Sequence, residues 1–333
     1  MLAIPGFVGS ALDPLIGVAG DTSRRRSLLL AGGIGFAVSA GLSSAAFGFW
    51  TLLVALVVGN PATGAFVSLA QATLMDLAPD TRERNMARWT LAGSCGYVGG
   101  PLIIAGAIVA GVGWRVPIAL LAACAVGLTF AARNIPSPDA TEPLSLRASV
   151  THAVSALRRR EVLRWLALLE SADLLLDVFH GFLALYLVDV VHFDPRAAAV
   201  GVAVWTGAGL LGDWLLLFVL RRFDGLRLLR VTALAALAVY PTFLLVGNGE
   251  AKLALLAVLG LLNSGWYAIP KAGLYEALPG RSGAAVAVGG FAGLAGACVP
   301  LVLGFVASSM GLGVTMWILV IAPVPLVGLV PRR

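Results

Sequence analysis

The chain has 333 residues, of which 59% are hydrophobic and only 12% charged, with a mean hydropathy of +0.94. A soluble domain carries about 25% charged residues, so this composition excludes an ordinary water-soluble fold and points to lipid as the solvent. The formal charge of +6 does not mark a nucleic-acid surface, because the arginines stand in short loops between apolar runs.

A crossing of the hydrocarbon core needs roughly 20 apolar residues. Eleven stretches meet that need: about 2–20, 27–47, 50–75, 86–110, 114–132, 163–189, 197–220, 227–247, 252–275, 283–308 and 311–330. Helices are expected throughout, since lipid cannot satisfy open backbone groups. The first loop carries Gly17, Asp21, Arg24, Arg25 and Arg26. Asp21 is expected to lie against the positive N-terminus of the span that begins near Ser282 and Gly283. Asn60-Pro61 interrupts the third span, which also holds Gln71 and ends at Asp76. The fourth holds Gly93, Gly96, Gly100 and Pro101, a pattern suited to close helix packing. The longest polar segment, Arg133 to Glu161, carries Pro136, Pro138, Pro143 and three consecutive arginines. It divides the chain into residues 1–132, a linker over 133–162, and residues 163–333.

The sixth span is the most informative. Glu170, Asp173, Asp177 and His180 fall at i, i+3, i+7 and i+10 and therefore share one helical face. Each carboxylate near the bilayer centre costs roughly 2.5–3.5 kcal/mol on insertion scales. Such a stripe is expected to face a water-filled cavity, to pair with cations or to stay partly protonated. Lys271, after Pro270 in the ninth span, lies at a depth that allows a pair with Glu170 or Asp173. Pro270 is expected to kink that helix. Asn263, Trp266 and Tyr267 precede it on the same span. Cys95, Cys124 and Cys298 lie in apolar runs at unrelated spacings, so neither a disulfide framework nor a metal site is expected. No cofactor is expected either.

Orientation follows from the loops. Nineteen arginines fall on one side, and Arg115, Arg196 and Lys252 on the other. The arginine-rich side is therefore expected to be cytoplasmic, with the C-terminus inside. Sliding the chain by 200 residues matches Gly9 and Asp13 with Gly209 and Asp213, Pro79 with Pro279, and Gly93 and Gly96 with Gly293 and Gly296. Spans one to five thus repeat spans seven to eleven in the same sense, a parallel repeat. The copy of the sixth span would fall before Met1.

The loop Gly17-Val-Ala-Gly-Asp21-Thr-Ser-Arg24-Arg25-Arg26 resembles the signature loop of the major facilitator superfamily, with Gly17, Asp21, Arg25 and Arg26 in place. Trp114-Arg115 and Asp76-Leu-Ala-Pro79 also resemble that family. The resemblance implies an all-α membrane protein of the major facilitator fold, with two parallel pseudo-repeat bundles of five and six helices. The first family helix is expected to be missing. It further implies a cytoplasmic gating loop formed by Gly17, Asp21, Arg25, Arg26 and Asp76. The substrate and proton cavity would be lined by Glu170, Asp173, Asp177, His180, Asn263, Trp266, Tyr267, Lys271, Asn60 and Gln71. The arginine that proton-antiporting members carry in the helix spanning 50–75 is absent here.

The function expected is secondary transport of a small solute by alternating access, coupled to protons, with export favoured by the glycine-rich segment. The lysine-poor, arginine-rich composition points to a bacterial plasma membrane. The partners expected are the bilayer and a small molecule, the chain acting as a monomer and not as an enzyme. A non-transporting remnant is the alternative. An intramembrane hydrolase using Ser264 and His180 lacks any supporting motif.

Overall fold

The computed structural model describes residues 3–135 and 145–331; Met1, Pro136, Pro138, Pro143, Arg332 and Arg333 lie outside the described residues. Every regular element among the described residues is helical. These are α1 (Ala3–Gly20), α2 (Arg25–Ser44), α3 (Phe49–Leu77), α4 (Pro79–Val109) and α5 (Arg115–Ala132). After the linker come α6 (Leu146–Ala156), α7 (Arg160–Asp189), α8 (Pro195–Val219) and α9 (Gly225–Leu245). The chain ends with α10 (Gly249–Leu262), α11 (Ala268–Glu276), α12 (Ser282–Met310) and α13 (Leu312–Gly328). Eight of them are long and apolar enough to cross a membrane: α2 to α5, α7 to α9 and α12. The remaining predicted spans correspond to α1, to α10 with α11, and to the shorter apolar α13.

Two compact units form, and each draws on both sequence halves. The first comprises residues 1–82, 99–163 and 274–295; the second comprises 83–98, 164–273 and 296–333. In the first unit α2 packs along α3 and α5, and α1 along α3. In the second, α8 packs along α10, and α9 along α10 and α13. An aromatic cluster supports this unit: the Phe179 ring lies 4.8 Å from Trp205 and 5.5 Å from Tyr240, each edge-on. The Tyr240 hydroxyl donates to the Met316 carbonyl at 2.9 Å and ties α9 to α13. Large apolar side chains such as Leu120, Leu128, Leu301 and Phe305 are exposed, the arrangement expected of helices that face lipid.

Three local features differ from the sequence-based expectation. The linker contains a helix: Ser145 caps α6 by accepting from the Ala148 amide, and Ala153 is buried with Val18 and Ala287. Lys252, read as a loop cation, is buried at the start of α10. Its ammonium donates to the Phe243 carbonyl and lies 4.6 Å from the Phe243 ring centroid, so a carbonyl near the α9 C-terminus and a π face replace its water shell. The third feature is the break between α10 and α11. Residues 263–267 form a turn in which Gly265 has φ +82°. Pro270 follows in the first turn of α11; the Ile269 N–H donates to the Gly265 carbonyl and the Lys271 N–H to the Tyr267 carbonyl, so the bond that Pro270 cannot make is the intervening one to Trp266. The kink expected at Pro270 is thus a full break, lying in the turn just before it.

Candidate functional site

The α10–α11 break opens into a cavity of about 340 Å³ within the second unit. Its lining comes from α4 (Trp89, Ser94, Tyr97), α7 (Asp177, His180), α8 (Trp205, Asp213) and the break itself (Asn263, Ser264, Tyr267). Asp213 accepts a hydrogen bond from the Ser94 hydroxyl at 2.5 Å. The His180 ring stacks edge-on against Tyr97, centroids 5.5 Å apart, and Asp177 lies within electrostatic reach of both. Asp177 falls in a π turn, Leu174–Val178, the irregularity that membrane and soluble helices alike place at functional positions.

Several polar atoms here have no hydrogen-bond partner among the described residues. Asn263 is only 4% exposed, and neither its amide nitrogen nor its amide oxygen is hydrogen-bonded. The His180 Nδ1 is likewise buried and unpartnered. A buried polar atom left without a hydrogen bond costs about 1–3 kcal/mol. These atoms are one donor, the Asn263 amide N–H₂, one acceptor, its amide oxygen, and one ring nitrogen that can serve as either.

Gly265 makes the break possible. An L side chain at φ +82° carries about 1–2 kcal/mol of strain, and a Cβ there would also lie 3.0 Å from Ile269 Cδ1. Gly265→Ala is accordingly expected to destabilise the protein by about that amount, read as a drop in detergent melting temperature. An unchanged melting temperature would mean that the turn is not held in this form.

The remaining predicted residues sit elsewhere. Glu170 reaches toward the middle of α12, where a Cβ on Gly296 would stand 2.3 Å from its carboxylate. Lys271 is within electrostatic reach of Glu170 and Asp173, and its ammonium is 6.0 Å from the Tyr267 ring centroid. Trp266 is fully buried and donates its indole N–H to the Thr232 hydroxyl at 3.0 Å, a packing role. Gln71 is buried and accepts from the Tyr275 hydroxyl at 3.1 Å. Ser264 turns its hydroxyl to the Leu261 carbonyl at 2.8 Å, not to a base. At Gly93, Gly96 and Gly100 an added Cβ meets nothing within 4 Å among the described residues. The close helix packing expected there is therefore not seen, and Gly93 lines the cavity instead.

Asn60 lines a second cavity, of about 400 Å³, within the first unit, together with Gly9, Ser10, Asp13, Thr63 and Gly64. Shifted by 200 residues, Gly9, Ser10, Asp13, Asn60, Thr63 and Gly64 become Gly209, Leu210, Asp213, Gly260, Asn263 and Ser264, all of which line the first cavity. The π turn of α3, Gly64–Ser68, likewise precedes the break at 263–267 by about one repeat. Asp213 was visible in the sequence only as the partner of Asp13, and Ser94 only as a residue between two glycines. The repeat was the signal that could have joined Asp213 to the site.

The arginine-rich loop is built within the first unit. Asp21 accepts from the backbone N–H of Gly283 at 2.8 Å and of Ala284 at 2.9 Å, and so caps the N-terminus of α12. Burial raises its carboxyl above the ordinary value, against the pull of those two N–H groups and of Arg25 and Arg281. Arg25 pairs with Asp76 at 2.7 Å, and Ser282 donates to the same carboxylate. Arg26 points elsewhere and donates to the Arg133 carbonyl at the end of α5. Gly17 lies so close to α12 that a Cβ would meet the Ala287 backbone nitrogen at 2.3 Å.

A polytopic helical membrane protein with a parallel repeat and a polar cavity beside broken helices is the class that fold and site define. The sequence profile of the Major Facilitator Superfamily matches residues 1–272, and the chain belongs to that superfamily. No curated protein matches it by sequence. Among solved structures it is similar to the Escherichia coli fucose:proton symporter FucP in the outward conformation, with TM-score 0.80 and 16% identity over 100% of this chain and 89% of that one. The human organic anion transporter MFSD10 (TETRAN) gives TM-score 0.75 and 21% identity over 98% and 83%. The proton:xylose symporter XylE gives 0.68 and 14% over 98% and 83%. At these identities the likeness is one of fold.

Proposed function

We propose that this chain is a secondary transporter that carries a small solute across a membrane by alternating access, with protons as the coupling ion. The observation that carries this reading is the cavity at the α10–α11 break, which gathers Asp177, His180, Asp213 and the unpartnered Asn263 in an apolar helical body. Discontinuous helices in repeat-related positions are where transporters of this kind hold their cargo. Carboxylates and an imidazole in a membrane span are proton sites by default. Two of the similar structures are sugar:proton symporters, which favours the same coupling here. Glu170, Asp173 and Lys271 form the charged neighbourhood of the cavity, and Asn60 marks its counterpart in the first repeat.

The Asp21, Arg25, Asp76 and Ser282 network serves as the latch of the cytoplasmic side, opening and closing with the transport cycle. The protein works as a monomer in a bacterial inner membrane with its C-terminus inside. Export is favoured by the glycine-rich segment Gly93–Pro101. The test is solute exchange in proteoliposomes, run over a panel of neutral, cationic and anionic radiolabelled solutes. Saturable exchange of at least one solute above protein-free vesicles is the expected result. Absence of exchange for every class, by protein that remains folded, would remove the transporter reading.

A further inference from the structure

Resting on the transport reading above, we infer that the cargo is an organic cation with an aromatic or apolar body. The described lining of the cavity includes two carboxylates, Asp177 and Asp213, and one imidazole, but no lysine or arginine. Glu170 and Asp173 add two acids on the same helix, against Lys271 alone. The field inside the cavity is therefore negative. A carboxylate held in a low-dielectric site is costly without a counter-charge. A neutral sugar leaves that charge uncompensated, and an anion adds to it. A cation offsets it.

The rest of the lining fits the same chemistry. Trp89, Tyr97, Trp205 and Tyr267 line the same cavity as the acids, and aromatic faces attract organic cations by about 0.5–2 kcal/mol each. Asn263 offers an unpartnered amide oxygen that an ammonium N–H can use, and its unpartnered N–H₂ accounts for any acceptor on the body of the solute. Protons enter the same scheme as competitors. A proton and an organic cation both neutralise Asp177 or Asp213, so binding one displaces the other. His180 and Tyr97 lie within electrostatic reach of Asp177, and Ser94 donates a hydrogen bond to Asp213.

The test compares two ions of the same shape and opposite charge. Purified protein in neutral detergent is titrated with tetraphenylphosphonium and, separately, with tetraphenylborate and with fucose, following intrinsic tryptophan fluorescence, to which Trp89 and Trp205 contribute from the cavity. The expected result is saturable quenching by tetraphenylphosphonium, with affinity at least tenfold above that for tetraphenylborate and no response to fucose. Affinity for the phosphonium is expected to fall tenfold or more in Asp213→Asn and to weaken as pH drops. The wild-type comparison of the two isosteric ions needs no variant, so a misfolded mutant does not obscure the outcome. Equal or tighter binding of tetraphenylborate, or no saturable binding of the phosphonium, overturns the cation class. In that event, solute exchange by a neutral or anionic compound in proteoliposomes leaves the transporter reading standing, whereas no exchange at all removes both.

Discussion

Gly17→Ala is expected to release the start of α12 from α1. Its new Cβ would stand 2.3 Å from the Ala287 nitrogen, 2.7 Å from the Ala287 Cα and 2.8 Å from the Gly283 oxygen. All three are backbone atoms, so no side chain can swing aside and the helices must separate. Alanine in a helix interior is otherwise favoured over glycine by about 0.5–1 kcal/mol. Any loss therefore reports the contact and not the helix. Separation pulls Gly283 and Ala284 away from the Asp21 carboxylate, and these amides should exchange hydrogen for deuterium roughly tenfold faster, equivalent to about 1.4 kcal/mol. Asp21→Ala should do the same by removing the cap, whose worth is about 0.5–2 kcal/mol. Unchanged exchange over the peptide spanning 282–288 in both variants would contradict the latch.

The pH dependence of the latch has a definite sign. Burial raises the Asp21 carboxyl above its ordinary value, so the closed form takes up a proton more readily than a solvated aspartate does. Between the ordinary and the raised value, the closed form binds more protons than the open form. Lowering the pH through that window therefore favours closure, and raising it withdraws that contribution. Exchange at Gly283 and Ala284, corrected for the intrinsic pH effect, should slow on acidification. Faster corrected exchange at low pH would show that the two N–H bonds outweigh burial.

The second large effect is expected from Asp177→Asn and Asp213→Asn. Each removes a carboxylate charge from the cavity while keeping its shape, and in Asp213→Asn the amide oxygen can still accept from Ser94. Solute flux is expected to fall roughly tenfold to a hundredfold, the rate equivalent of losing a charged contact to the solute worth about 1.5–3 kcal/mol. Stability should move the other way. Neutralising a carboxylate within a span relieves up to about 2.5–3.5 kcal/mol of burial cost, so the melting temperature should hold or rise. Loss of flux together with a higher melting temperature separates a functional acid from a structural one. A drop in both would assign Asp177 and Asp213 to the helix scaffold.

Much of this was legible in the sequence because membrane insertion makes polar residues conspicuous. The stripe from Glu170 to His180 stood out by its cost, and the structure carries its far end, Asp177 and His180, into the cavity. The contact between Asp21 and the N-terminus of α12 could be anticipated because an acid in a short loop and a helix start at similar depth attract each other. What could not be read was lateral placement. Trp266 and Tyr267 are adjacent in sequence, yet one is locked against Thr232 and the other lines the cavity, because neighbouring side chains on a helical turn point roughly 100° apart. A positive φ leaves no trace in hydropathy, so Pro270 marked an interruption of this helix but not the turn at Gly265 that forms it. Ser94 and Asp213 lie 119 positions apart and meet only because residues 83–98 belong to the second unit. Local periodicity carries no information about that exchange of segments.

The most direct test of proton-coupled transport is proton movement in proteoliposomes loaded with a pH-sensitive dye. With a solute that the protein exchanges, an imposed gradient of that solute should move protons across the membrane, and the signal should vanish in Asp177→Asn. Solute flux that proceeds without any change in internal pH would contradict the account.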